Sequence, residues 1–329
     1  MMARLTLIAL FLIGAAGAPV LEAQTGPAAS VWPSKPVRMT HGFIAGGAVD
    51  ITARLVAAGM TDLLGQQVIV DGRPGAGGTV GAAIVARGEP DGYTLFLMAS
   101  GHAASAGLYR KLPYDAVKDF TMISMVAANP FVLAASMNFP ARSVKDLVRM
   151  AKAEPGRINY GTGGVGTGMH LASLLFQSRA GIQMNHVPYK GGNAAPVALL
   201  AGEIPLIFNT PSGVETHVRG GRMRVLAITT RNRFALWPDA PTIAETVVPD
   251  FDVRGWYAVA APKNVPVNRV KRLNQVVRES LKRPDVGGRL TELGAEVTPS
   301  SPEEAQRFLA SEVARWVKLI RDEKIPPQD

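Results

Sequence analysis

Three times within its first hundred residues this sequence runs a short apolar stretch into a turn or glycine-rich loop and then into helical periodicity. That pattern limits the fold more than any single residue does. Residues 37–40 read as a strand, Gly42-Phe43-Ile44-Ala45-Gly46-Gly47 as the loop, and Ile51, Leu55, Ala58 and Leu63 as one helix face. A strand at 68–70 meets Arg73-Pro74-Gly75-Ala76-Gly77-Gly78 and a helix at 79–87. A strand at 93–98, apolar on both faces, stops at Ala99-Ser100-Gly101-His102. Strand-loop-helix units in series predict an α/β fold with parallel pairing.

The second half repeats the scheme. Ser143 caps a helix through Ala153, and a strand at 158–160 enters Gly161-Thr162-Gly163-Gly164-Val165-Gly166-Thr167-Gly168 before a helix carrying Met169, Leu171, Leu174 and Leu175. Further strands are expected at 184–187, 206–208 and 225–229. Ser301-Pro302-Glu303-Glu304 has the capping-box form, opening a last helix whose apolar face is Phe308, Leu309, Val313, Trp316, Val317 and Ile320. That helix is expected to close the first domain.

Composition removes several functions. The 329 residues include no cysteine, which excludes disulfides, thiolate zinc, iron–sulfur clusters and a Cys nucleophile. His41, His102, His170, His186 and His217 form no metal-binding spacing, so neither a metal nor a cofactor is expected. The net charge of +9 suits an anionic partner, but the Arg219–Arg233 cluster lacks interleaved aromatics, so nucleic acid is not expected. At the start, Arg4, an apolar run at 5–13 and small residues at 14–23 read as an export signal cut after Ala23. A polar linker at 24–31 follows, and a soluble, exported, monomeric protein is expected.

Gly161 to Gly166 fits G-x-G-x-x-G, yet no acidic residue stands about twenty positions on to hold a ribose. A plain turn and a nucleotide site are the alternatives to an anion site built from backbone N–H groups at a helix start, beside Thr162 and Thr167. The Gly42 to Gly47 loop is built alike, with Asp50 in the first helical turn to hold its shape. Lys190 could add a cation. Ser100 lacks the first glycine of a nucleophile elbow, and His102 is adjacent rather than remote, so a secreted hydrolase using both is the weaker rival and no enzyme activity is expected.

Over nearly its whole length the chain resembles the Bug-type periplasmic receptors of tripartite tricarboxylate transporters. The resemblance lies in Trp32-Pro33-x-Lys35-Pro36-Val37-Arg38, Phe43-x-x-Gly46-Gly47-x-x-Asp50, Gly72-Arg73-Pro74-Gly75-Ala76-Gly77-Gly78 and Pro90-Asp91-Gly92-Tyr93-Thr94-Leu95. It continues in Asn159-Tyr160-Gly161, His170-Leu171-Ala172, Val187-Pro188-Tyr189-Lys190-Gly191 and Pro238-Asp239-Ala240-Pro241-Thr242.

The resemblance implies a two-lobed fold of the type II periplasmic-binding-protein kind, each lobe a mostly parallel sheet flanked by helices. Lobe 1 would hold residues 32–128 and 258–329 and lobe 2 residues 129–257, joined by strands near 126–133 and 256–262. It implies a periplasmic receptor that closes on a small organic carboxylate, whether a di- or tricarboxylate, an aromatic acid or an acidic amino acid, and delivers it to a permease. A sensor serving a membrane signalling partner is the alternative. Phe43 with the Gly46 and Gly47 amides would hold one carboxylate beside Asp50. Ser100, Thr162, Gly163, Thr167 and His170 would approach the rest, and Asn209 stands where Asp is common. Gly42, Ile44 and Ala45 replace residues that are commonly proline in the family, which loosens the first loop.

Overall fold

The computed structural model describes residues 32–328, so the expected export signal and the linker at 24–31 lie outside the described residues. From Pro33 onward the chain forms one compact unit. In order it runs β1 (Val37–His41), α1 (Ala48–Leu64), β2 (Val68–Gly72), α2 (Thr79–Ala86), β3 (Thr94–Ala99), α3 (Gly101–Leu108), β4 (Phe120–Pro130), β5 (Val132–Ser136), α4 (Val144–Ala153), β6 (Asn159–Thr162) and α5 (Gly168–Ala180). It continues through β7 (Asn185–Pro188), α6 (Ala194–Leu200), β8 (Leu206–Asn209), α7 (Pro211–Arg219), β9 (Met223–Ile228), α8 (Ile243–Thr246), β10 (Arg254–Pro262), α9 (Val267–Leu281), α10 (Arg289–Glu292), β11 (Glu296–Val297) and α11 (Pro302–Asp322).

These strands form two sheets, ordered β11-β4-β10-β3-β1-β2 and β7-β6-β8-β5-β9, which are the two lobes of the fold. The α/β expectation holds, but both sheets are mixed. Strands β1, β2 and β3 pair in parallel, as do β6, β7 and β8, because a helix crosses over between them. Strands β4, β5 and β10 pair antiparallel to their neighbours. They carry the chain between the sheets, β4 and β5 meeting at Phe131 and β9 returning to β10. The pairing of β4 with β10 slips in register beside Tyr257, a bulge of the kind that re-aims side chains.

Local sequence explains the helix ends. Ser143 Oγ accepts from Asp146 N at 3.1 Å, and Ser301 and Glu304 complete the predicted capping box at the start of α11. Each such cap contributes about 1 kcal/mol. Helix α11 packs on the first sheet through Leu309, Trp316 and Ile320, and Trp256 Nε1 of β10 donates to Glu312 at 3.3 Å.

One expectation needs correction. The buried side of α1 is Ala53, Val56, Ala57 and Met60 rather than Ile51, Leu55, Ala58 and Leu63. The helix lies between the sheet and α9, and Gly59 allows the close approach: a Cβ there would lie 2.6 Å from the Cβ of Ser280. The third strand stops at Ala99, within the segment expected to end it, and α3 begins directly at Gly101.

Candidate functional site

The loops that follow the strands of the two lobes face one another across a cavity. Its floor comes from the crossing strands, as Phe131, Gly255 and Tyr257. Its walls are helix starts. Gly47, Ala48 and Val49 open α1, Ser100 and Gly101 open α3, Thr167, Gly168 and Met169 open α5, and Thr210 precedes α7. Asn193, ahead of the short α6, adds a fifth start.

No side chain lining this cavity is charged. The first N–H groups of a helix have no intrahelical acceptor, and each helix places about half a positive charge at that end. Gly47, Ser100 and Thr210 cap their helices without a side-chain hydrogen bond. Thr167 Oγ1 accepts from His170 N at 3.3 Å and donates to the Gly164 carbonyl at 2.8 Å, which leaves the Gly168 and Met169 amides without a partner in the helix. Three helices of eight residues or more, α1, α3 and α5, thus turn donors and partial positive charge into one uncharged chamber, which α7, beginning at Pro211, borders only through Thr210. Gly168 is what lets α5 come so close: a Cβ there would lie 2.5 Å from Ser100 Oγ and 2.6 Å from Phe131 Cζ.

Buried polar groups behind the walls hold the loops in place. Asp50 accepts from Gly46 N at 2.9 Å, Arg54 Nε at 2.9 Å and His41 Nε2 at 3.0 Å. Burial pushes its carboxyl up, and the bonds from Arg54, Gly46 and His41 more than reverse this, so it stays ionised. His41 Nδ1 in turn accepts from Phe43 N at 3.3 Å. Burial lowers the pKa of His41 and outweighs Asp50, which keeps the ring neutral and its Nδ1 an acceptor. The other lobe uses the same device: Gly166 N donates to His170 Nδ1 at 3.3 Å. His170 stacks on His186 at 4.3 Å, and burial followed by the His186 charge lowers its pKa to about 3.

Of the residues expected at the site, Phe43, Gly47, Ser100, Gly163 and Thr167 line the cavity. Gly46, Asp50, Thr162, His170 and Asn209 do not, and each has a positioning contact instead. The Gly46 amide is spent on Asp50, so it is not free for a ligand, while its carbonyl accepts from Asn193 Nδ2 of the opposite lobe at 2.7 Å. Thr162 Oγ1 pairs with His186 Nε2 at 2.8 Å. Asn209 holds the Gly192 carbonyl at 2.7 Å and caps Thr210 N at 2.8 Å. Lys190 borders an outer groove with Ala76, Val165 and Tyr189 rather than the cavity.

His102 does not serve Ser100. Its Nε2 meets the Ala116 carbonyl at 2.9 Å, its ring stacks on Tyr114 and meets Phe120 edge-on, and burial lowers its pKa to about 4. It is a satisfied core histidine. Ile44, Phe131, Met169, Thr210 and Tyr257 are cavity residues that the sequence reading did not reach. Only Thr210-Pro211, a cap residue followed by proline at the first helical position, carried a local signal.

Comparison with known proteins agrees with this geometry. A family model described as "Tripartite tricarboxylate transporter family receptor" matches residues 52–325. Protein BugT of Bordetella pertussis is 34% identical over 320 residues, covering 97% of this chain and 96% of that protein. A UPF0065 protein of Pseudomonas sp. strain P51 is 35% identical over 290 residues, 88% of this chain and 86% of its own. Among solved structures, the periplasmic binding protein BugD has a TM-score of 0.85 at 31% identity, over 90% of this chain and 100% of that one. Rpa4515 of R. palustris, solved with adipate, scores 0.84 at 34% identity over 90% and 100%. MatC of Rhodopseudomonas palustris, solved with bound malate, scores 0.83 at 30% identity over 88% and 100%. The chain belongs to the tripartite tricarboxylate transporter receptor family, a family of periplasmic solute-binding proteins.

Proposed function

We propose that this protein captures a small organic carboxylate in the cavity between its lobes and presents it to a permease of the tripartite tricarboxylate type. The observation that carries this reading is the convergence of three helix starts, those of α1, α3 and α5, on a cavity without a charged side chain. Such a site neutralises an anion with backbone donors and dipoles alone. The adipate and malate held by two relatives of similar fold support the same ligand class. A hydrogen bond to a charged group is worth about 1.5–3 kcal/mol, so four or five sustain micromolar affinity, about −8 kcal/mol, after the cost of closure.

The remainder of the reading extends the expectations drawn from the sequence. The chain is exported, with the signal cut after Ala23, and acts in the periplasm as a monomer without catalysis. The lobes divide near residues 128 and 258 and hinge where the chain passes between the sheets. Loops of the two lobes already touch, as Asn193 on Gly46 and Ile44 against Gly191, which is the closed form such a receptor takes around its ligand. A thermal-shift screen of mono-, di- and tricarboxylates, aromatic acids, amines and sugars tests the proposal. Acids should raise the melting temperature, and stabilisation by amines or sugars alone would refute it.

A further inference from the structure

One side chain that lines the cavity joins the lobes. Asn193 Nδ2 donates to the Gly46 carbonyl at 2.7 Å, a contact between residues 147 apart in the chain. Among the described residues lining the cavity, Thr167 and Thr210 also use their side chains in hydrogen bonds. Theirs stay within one lobe, with Gly164, His170, Asn209 and Ser212. Local sequence leaves Asn193 available for a distant partner. It precedes α6, where an asparagine ordinarily caps the amide of the second or third helical residue. Here it makes no capping bond, and the third helical residue is Pro196, which has no amide to offer.

Both ends of this bond are braced from behind. The Gly46 amide donates to Asp50, which Arg54 and His41 hold in turn, so the Gly46 carbonyl is presented by a fixed turn. In the opposite lobe the Gly192 carbonyl accepts from the buried Asn209 at 2.7 Å, and the Gly191 amide donates to the Gly163 carbonyl at 3.1 Å. Gly191 makes the approach possible: its φ is +85°, and a Cβ there would lie 2.6 Å from Ile44 Cδ1. Neither loop belongs to β4, β5 or β10, the strands that carry the chain between the sheets.

We infer that Asn193 is a clasp: its bond to Gly46 forms when the lobes close, breaks when they part, and sets how long a captured acid is held. Asn193 acts through Gly46 and not on the ligand, so it is a positioning residue. Encounter with an acid takes place while the lobes are apart, before the bond exists, whereas release waits for it to break. A neutral hydrogen bond shifts an equilibrium of this kind by roughly two- to tenfold. The inference rests on the carboxylate reading proposed above and adds control of release to that site.

Stopped-flow kinetics with two acids of different length, both chosen because they stabilise the native chain in the thermal screen, test it on the native protein, Asn193→Ala and Asn193→Leu. The leucine keeps comparable bulk and lacks the donor. Asn193 makes no side-chain bond within its own lobe among the described residues, so both variants should melt like the native chain without ligand. The inference predicts release about fivefold faster in both variants, by the same factor for both acids, with association unchanged. Native release rates, an effect confined to association, or native release restored by Asn193→Leu would overturn it. A factor that differs between the two acids, the mark of a direct ligand contact, would overturn it as well. Each of these results leaves the carboxylate reading intact. If no acid of the thermal screen binds the native chain, the carboxylate reading itself fails and the inference with it.

Discussion

Gly101→Ala separates folding from closure. Gly101 is the first residue of α3 in ordinary helical backbone, where alanine is if anything favoured, by about 0.5–1 kcal/mol within a helix. A Cβ there would lie 2.5 Å from the carbonyl oxygen of Gly166 and 3.5 Å from Thr167 Cα, both in the opposite lobe. The first distance is about 1 Å short of the ~3.5 Å of ordinary van der Waals contact. Backbone cannot swing aside as a flexible side chain would, so the lobes must stay about 1 Å further apart or strain. Overpacking of this kind costs about 1–3 kcal/mol, roughly a ten- to hundredfold loss of affinity. The assay is calorimetry with an acid that binds the native protein, paired with small-angle scattering at saturating acid. The variant should melt no lower than the native chain without ligand, bind weakly and fail to contract. Native affinity with native contraction would refute the view that α3 and the Gly166 loop meet in the ligand-bound state.

Thr167→Ala removes the cap of α5 and the bond to Gly164, so stability should fall by about 1 kcal/mol in chemical denaturation, with ligand binding at least tenfold weaker by calorimetry. Asp50→Ala leaves His41 Nε2 and Gly46 N without their acceptor; a loss of about 2–4 kcal/mol and a looser first loop are expected, read as a lower melting temperature and weaker acid binding. Acid should destabilise the fold before carboxylates titrate. Burial holds the pKa of His102 at about 4 and, with His186, that of His170 at about 3, against 6.5 when unfolded. The unfolded chain therefore takes up protons that the folded chain refuses. Stability is full above pH 6.5 and falls toward pH 4 by up to about 1.4 kcal/mol per unit for each histidine, about 3 together. Denaturation midpoints that stay level between pH 7 and 5 would contradict this.

The fold was largely legible because its punctuation is local. Gly42 to Gly47, Gly161 to Gly168, Ser143 and Ser301-Pro302-Glu303-Glu304 mark helix starts through backbone chemistry that does not depend on distant residues. The start of α3 was not, since Ser100-Gly101-His102 has poor helix formers and only packing against Gly166 and Thr167 gives the glycine its purpose. The buried face of α1 shifted by a position because a helix between a sheet and α9 buries two sides, which periodicity cannot distinguish from one. At the site, the two helix starts were readable, as were Phe43, Gly47, Ser100, Gly163 and Thr167. Residues that stand behind them, Asp50, Thr162, His170 and Asn209, carry the same motifs, and only tertiary contacts separate a lining group from a supporting one. Phe131 and Tyr257 are ordinary strand residues in sequence and become the cavity floor only where β4, β5 and β10 cross between sheets.

A crystal structure of the protein grown with an acid selected by the thermal screen is the most direct test of the central claim. The account predicts the carboxylate oxygens within hydrogen-bond distance of first-turn amides of α1 and α5, among Ala48, Val49, Gly168 and Met169, with no charged side chain in contact. An acid held instead by Lys190 or the Arg219–Arg233 cluster, with the cavity between the lobes unfilled, would contradict it.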